Sequence, residues 1–209
     1  ALNQAREKAR AISCKNNLKQ VVSYAIQYHY DYDGWVLAKK PNADQGWFEF
    51  LNKVYKVPLK VLIQCPSEGT QYNTDNNLFW SASIGHNKYS YGDEHTIADR
   101  PLLKESRIVN IKPEGAVYFG DSCPRKRDGV VWQSGEGFVI SGSAMVYTLG
   151  DDPDPSRLFP LFARHFGTAN LSFFDGHVES GSKPALEVTS NKYKYWQPKY
   201  GFAGNYGVY

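Results

Sequence analysis

The first 30 positions contain no Pro and no Gly, and Ala, Arg, Glu, Lys, Gln and Leu dominate their first half. That pattern predicts one long helix over residues 1 to about 30. Asp31-Tyr32-Asp33-Gly34 ends it, with Gly34 suited to the left-handed conformation that follows a helix terminus. Within the helix, Leu2, Ala5, Ala9 and Ile12 recur at steps of three and four and form one apolar stripe. Cys14, Leu18, Val21, Ala25 and Tyr28 form a second. At about 100° per residue the second stripe lies nearly opposite the first. A helix docked along its whole length keeps one face. The C-terminal half is therefore expected to pack on its own domain and the N-terminal half to meet a different neighbour. The plainer alternative is that the small Ala side chains of the first half face water. Residues 1–10 have the composition of a helix interior and no Ser, Thr or Asp before them, so the helix is expected to continue from residues upstream.

After Gly34 the pattern turns β-like and rich in turns. Trp47-Phe48-Glu49-Phe50-Leu51 suits a short helix or helical turn. Val61-Leu62-Ile63-Gln64-Cys65 is expected to be extended up to Pro66. Residues 67–95 are polar and predict a long surface loop with one short strand near Tyr89-Ser90-Tyr91. Ala116-Val117-Tyr118-Phe119 predicts a buried strand, and Val130-Val131-Trp132 and Gly137-Phe138-Val139-Ile140 weaker ones. The clearest hairpin is Asn170-Leu171-Ser172-Phe173-Phe174, turning at Asp175-Gly176 into His177-Val178-Glu179. The expected fold class is α+β: a long N-terminal helix packed on an antiparallel β-sheet, loop-rich, with residues 1–30 as helix and 31–209 as a single β-rich head. The 209-residue length is ample for one core.

Composition sharpens this. Lys plus Arg is 24 against 21 Asp plus Glu, a net +3, which is too even to mark a nucleic-acid binder. Tyr (15) outnumbers Phe (11), so many rings carry a hydroxyl and suit a half-wet surface, as in a secreted domain. No run of 18 apolar residues is present to span a membrane.

Two stretches together resemble a known family. One is the opening Ala1-Leu2-Asn3-Gln4-Ala5-Arg6-Glu7-Lys8-Ala9-Arg10 with Cys14-Lys15-Asn16-Asn17-Leu18-Lys19-Gln20. The other runs from Arg164-His165-Phe166-Gly167 to Phe174-Asp175-Gly176-His177-Val178, with nine residues between His165 and Asp175. Asp31-Tyr32-Asp33-Gly34-Trp35, Cys65-Pro66-Ser67 and Gly120-Asp121-Ser122 fit as well. The pattern is similar to that of type IV pilin-like and type II secretion pseudopilin proteins carrying a His-x9-Asp-Gly domain. The resemblance implies a basic leader and a membrane-spanning half-helix upstream. It implies anchoring in the inner membrane before assembly and a periplasmic or cell-surface fibre. The partners would be copies of the chain and other pseudopilins, met through Leu2, Ala5, Ala9 and Ile12. It implies a structural role without turnover chemistry and without nucleic acid.

The site candidates follow. His165, Asp175 and Gly176 are the residues of the resemblance's motif. A structural reading gives His165 a ring proton donated to a carbonyl or carboxylate, and gives Asp175-Gly176 the tight turn. Three Cys allow three pairings in an oxidising periplasm. Cys14–Cys65 is favoured, because Cys14 lies on the head-facing stripe and Cys65 closes an apolar segment. Cys123 could instead take Cys65, or Cys14 could remain a reduced core residue. The five His show no zinc-motif spacing with Cys or Glu, so neither zinc nor any other cofactor is expected from spacing. Pseudopilins of this kind often carry calcium, for which Asp151, Asp152 and Asp154 could supply hard oxygens, though a solvated acidic turn reads the same. Asp31-x-Asp33-Gly34 begins like a calcium loop without completing one. Lys39-Lys40 and Arg125-Lys126-Arg127 suit solvated loops. Two rival readings remain. A carbohydrate- or surface-binding module on a filament requires exposed rings such as Tyr193, Trp196 and Tyr200. A metal-dependent hydrolase requires His165, His177 and an acid such as Asp121 to converge.

Overall fold

The computed structural model describes residues 2–42, 45–67, 82–87, 104–105, 113–122, 126–127, 130–131, 139–140, 146–148 and 161–182. Helix α1 (Leu2–Asp31) forms as its composition requires. It closes with a Schellman-type bond, in which the Gly34 N–H donates to the His29 carbonyl at 2.7 Å. Both Asp33 (φ +52°) and Gly34 (φ +74°) are left-handed, so the reversal begins one residue earlier than the glycine suggested.

The two stripes of α1 have different fates. Cys14, Leu18, Val21 and Ala25 are fully buried and Tyr28 nearly so. Leu2 (64% exposed) and Ile12 (62% exposed) face outward, as do Ala5 and Ala9. The helix touches the head along the line that continues the buried stripe: Glu7 and Ala11 are half-buried, and the Ser67 hydroxyl donates to Glu7 Oε2 at 3.2 Å.

Helix α2 (Trp47–Tyr55) extends the expected helical turn. Glu49 Oε2 accepts the Gly46 N–H at 2.8 Å, and the apolar face buries Trp47, Phe48 and Leu51. Helix α3 (Leu59–Ile63) corrects the extended reading of residues 61–65. A short apolar run has no periodicity to separate strand from helix. Here the chain turns helical after Pro58 and becomes extended only at Gln64.

The strands are β1 (Ile84–Asn87), β2 (Val117–Asp121), β3 (Lys126–Arg127), β4 (Val130–Val131), β5 (Val139–Ile140), β6 (Val146–Thr148), β7 (Leu161–Ala163), β8 (Thr168–Phe173) and β9 (Val178–Ser182). The main sheet runs β5-β1-β2-β8-β9. β1, β2, β8 and β9 are antiparallel neighbours, and β5 joins β1 in parallel. The expected α+β class is thus present. β3 pairs with β4 and β6 with β7 in two small ladders. In β2 the register slips between Val117 and Phe119 against β8, which lets both Tyr118 and Phe119 enter the core under α1 and α2. β1 corrects the reading of residues 67–95 as a surface loop with a strand only near Tyr89. Its four residues are buried although two are polar, because His86 Nε2 lies 2.8 Å from the Leu37 carbonyl and Asn87 Nδ2 donates to the Val117 carbonyl at 2.9 Å. Lys39, expected in solvent, is buried, and Lys126 and Arg127 lie in a strand. No helix among the described residues is long and apolar enough to cross a membrane.

The β8–β9 hairpin turns through Phe174-Asp175-Gly176. The Gly176 N–H donates to the Phe173 carbonyl at 2.9 Å, and Gly176 adopts φ +88°. Lys19 Nζ of α1 donates to the Gly176 carbonyl at 2.6 Å, so the turn rests on the helix. A Cβ on Gly176 would sit 2.7 Å from Ile26 Cδ1. Gly176→Ala therefore meets a left-handed backbone first, and the Ile26 side-chain tip has to swing aside as well. The substitution is expected to lower the denaturant midpoint by an amount equivalent to about 2 kcal/mol, with the slope of the transition unchanged.

Candidate functional site

Four segments far apart in sequence place side chains in one buried cluster. Cys14 comes from the buried stripe of α1. Cys65 follows α3, where its N–H donates to Ser83 Oγ at 2.6 Å. Asp121 is the last residue of β2, and Ser122 after it donates its N–H to the Ser83 carbonyl at 2.9 Å. His165 opens a two-residue turn between β7 and β8, closed by reciprocal backbone bonds with Thr168 of 3.1 and 3.0 Å. That turn puts Phe166 (φ +54°) and Gly167 (φ +75°) in left-handed conformations, an uncommon state for a Phe, and leaves the Phe166 ring exposed.

The contacts are close. The Cys14 thiol donates to Asp121 Oδ1 at 3.0 Å. Cys65 Sγ lies 3.3 Å from His165 Nε2, which is 3.5 Å from Asp121 Oδ2. The backbone N–H of Asn170 donates to Asp121 Oδ2 at 2.7 Å. His165 Nδ1 is 3.4 Å from Ser67 Oγ. The Ser67 proton points to Glu7, so its oxygen accepts from the ring and Nδ1 carries a hydrogen. Arg164 is buried alongside, donating to the Ser122 carbonyl.

The electrostatics follow from burial and proximity. Burial pushes the Asp121 carboxyl up, and the Cys65 charge adds to this. His165, Arg164 and the Asn170 N–H pull it back, and it settles at about 6. Burial also opposes a Cys65 thiolate, but hydrogen bonds from Cys14 and His165 and the charge of Arg164 outweigh it, so this thiol is held low. Cys14 is pushed up, by its bond to Cys65 first, then by burial and Asp121. It has one proton, for which the Asp121 carboxylate and the Cys65 thiolate compete. Burial works against a charged His165, yet Cys65 and Asp121 raise it overall. The cluster thus resembles a thiolate–imidazolium pair, an arrangement that activates cysteine where a reactant can reach it; here all four side chains are buried.

Of the motif residues, His165 is in this cluster, and its ring faces a thiol and a carboxylate. Asp175 is 10 positions along the chain at the far turn. There its Oδ1 accepts the His177 N–H at 3.0 Å and sits 2.6 Å from His177 Nδ1. Cys14 and Cys65 are brought together as two free thiols. The convergence required by a hydrolase is incomplete: Asp121 and His165 meet, but His177 is held at the outer turn, stacked on Phe173. Asp31 accepts from Tyr55 and Gln27, and Asp33 pairs with Lys104, so the two carboxylates of the Asp31-x-Asp33-Gly34 stretch are engaged with separate partners. Asp151, Asp152, Asp154, Tyr89, Ser90, Tyr91, Cys123, Arg125, Tyr193, Trp196 and Tyr200 lie outside the described residues. Asp121 stands out in the sequence as part of Gly120-Asp121-Ser122 and as an acid that could meet His165, which it does, but nothing local links it to Cys14.

Residues 3–48 match a family model, SBP_bac_10, described as a protein of unknown function (DUF1559). The match covers α1 and the chain up to the start of α2, less than a quarter of the sequence. No curated protein and no solved structure matches the chain.

Proposed function

We propose that this chain is a pseudopilin-type structural subunit that assembles into a periplasmic fibre of a type II secretion or type IV pilus-like system. The observation that carries the reading is the divided surface of α1. Its C-terminal half supplies the core of the head, while Leu2, Ala5, Ala9 and Ile12 form an apolar stripe turned away from it. Large apolar side chains such as Leu2 and Ile12, aligned on one helix face, have a physical use when neighbouring helices cover them. The small Ala5 and Ala9 between them allow helices to approach closely. Two further findings support the reading. The fold is a long N-terminal helix on an antiparallel sheet, and the matched family is one associated with prepilin- and pseudopilin-like proteins. The His165 to Asp175-Gly176 spacing belongs to the same resemblance, with the turn seated on α1 through Lys19.

In this arrangement the head fixes the direction of the helix, and the outward stripe joins sister subunits. Ala5→Glu and Ala9→Glu, made in the full-length gene beside its own assembly apparatus, are expected to abolish fibre formation and helix-to-helix cross-linking. Both positions are exposed, so unfolding of the head should stay within about 0.5 kcal/mol of the native value. Fibres that persist in the double variant, or a head that loses stability along with them, would sink the proposal.

A further inference from the structure

The geometry points to a structural divalent metal site, of the zinc class, formed by Cys14 Sγ, Cys65 Sγ, Asp121 and His165 Nε2. This goes beyond the filament reading and does not depend on it.

These four ligand atoms lie within 4.8 Å of one another, and all four residues are buried. Zinc bonds of about 2.0–2.3 Å in a tetrahedron place ligand atoms about 3.3–3.8 Å apart. The distances here are 3.0 Å (Cys14 to Asp121), 3.3 Å (Cys65 to His165) and 3.5 Å (His165 to Asp121). An ion would need to spread the tightest pair by a few tenths of an ångström and draw in the widest, which stand up to 4.8 Å apart. Two sulfurs with one imidazole and one carboxylate form a soft-to-borderline donor set that suits zinc better than calcium or magnesium. Four protein ligands leave no open position, which marks a structural rather than a catalytic site.

The surroundings fit as well. His165 Nδ1 is held by Ser67, and Ser67 by Glu7, which leaves Nε2 as the ring atom aimed into the cluster. Asp121 is oriented by the Asn170 N–H on Oδ2. Two thiolates and a carboxylate carry three negative charges. A divalent ion leaves one, and the positive charge of the buried Arg164 lies beside it. Entry of the ion displaces the Cys14 thiol proton and the Nε2 proton to solvent; nothing is oxidised.

A disulfide between the same cysteines accounts for less of this geometry. It would consume the thiol proton that Asp121 Oδ1 accepts and leave that oxygen buried without its donor. His165 Nε2 would then face a weakly accepting sulfur and, at 3.5 Å, Asp121 Oδ2. The metal uses all four groups. Its ligands come from α1, the segment after α3, the end of β2 and the β7–β8 turn, so the ion would fasten the helix to the head at the point where its buried stripe begins.

The test uses the full chain and a Cys123→Ser form whose only cysteines are Cys14 and Cys65. Both are purified reduced and dialysed against Zn2+, or against Co2+ as a spectroscopic probe. About one Zn2+ per chain is expected. The Co2+ form should show tetrahedral ligand-field bands with a sulfur-to-cobalt charge-transfer band, and the zinc absorption edge should report two sulfur and two nitrogen or oxygen neighbours. Cys65→Ser should weaken Co2+ binding at least about 100-fold and remove one sulfur from the shell. The absorption edge of the native chain provides the answer even if that variant fails to fold. A reduced, folded chain that takes up no stoichiometric metal, or binds it without sulfur, overturns the site. So does a chain that isolates with Cys14 joined to Cys65 and, once reduced and refolded, remains metal-free.

Discussion

Replacing Trp47 by Ala is expected to lower the free energy of unfolding by about 3–5 kcal/mol, the range found when a large aromatic is removed from a closed core. Trp47 is fully buried at the first turn of α2. Its ring lies 4.9 Å from that of Phe119 on β2 and meets Phe48 edge-on at 5.5 Å. It is thus the wedge between α2 and the central strand. α2 in turn carries Phe50, packed edge-on against Tyr28 of α1 at 5.4 Å, and Tyr55, whose hydroxyl donates to Asp31 at 2.7 Å. Truncation leaves a cavity that backbone on both sides resists closing, since the Trp47 N–H is tied to the Lys39 carbonyl at 2.8 Å. For a chain of this length the loss corresponds to a fall in Tm of about 6–20 °C. Trp47→Phe should recover part of it. The exposed stripe at Leu2, Ala5, Ala9 and Ile12 is remote from this wedge. Below its lowered Tm, the variant should therefore retain fibre formation while losing stability, the converse of Ala5→Glu with Ala9→Glu. A Tm within about 2 °C of native would show that the Trp47 ring does not fill a closed core.

The two variants separate what the sequence reveals from what it hides. The two faces of α1 were legible because helical geometry converts spacing directly into direction. The hairpin was legible because Asp-Gly between two apolar-polar runs marks a turn, although the turn takes in Phe174 as a third residue and only Gly176 is left-handed. Its seat on Ile26 and Lys19 was not, because contacts between residues some 150 positions apart leave no local signature. β1 failed as a prediction for a related reason. Ile84-Gly85-His86-Asn87 has no strand-like alternation, and its burial depends on carbonyls at Leu37 and Val117 supplied by other segments. The cluster lies between these cases. Stripe position brought Cys14 and Cys65 together in sequence, and the motif marked His165. Asp121 entered as a candidate acid beside His165, and only the fold joins these two to both thiols as one donor set.

Stability should also fall in acid through His29, the second large effect expected. The ring is buried at the end of α1, stacked on Phe174 at 5.0 Å, with Nε2 3.1 Å from the Tyr118 hydroxyl. That hydroxyl spends its proton on the Leu37 carbonyl at 3.1 Å, so His29 must donate and Nε2 carries the hydrogen of a neutral ring. Burial without a compensating anion lowers its pKa from 6.5 to about 4. The unfolded chain therefore binds a proton below about pH 6.5 that the folded chain refuses until about pH 4. The contribution is intact above 6.5, declines through that window and levels off below it. At about 1.4 kcal/mol per pH unit the loss is about 3 kcal/mol. Other groups titrate nearby, Asp121 at about 6 among them and in the opposite sense, since its folded form holds a proton longer than the unfolded chain does. The comparison that isolates the ring is native against His29→Gln, which keeps a donor toward Tyr118 and does not titrate. Urea unfolding at intervals from pH 7.5 to 4 should show a constant difference between the two at the upper end. From about 6.5 downward that difference should move by about 3 kcal/mol against the native chain. A difference that stays flat across the window would mean that the His29 ring accepts its proton in the folded state as readily as in water, and would overturn this account of its burial.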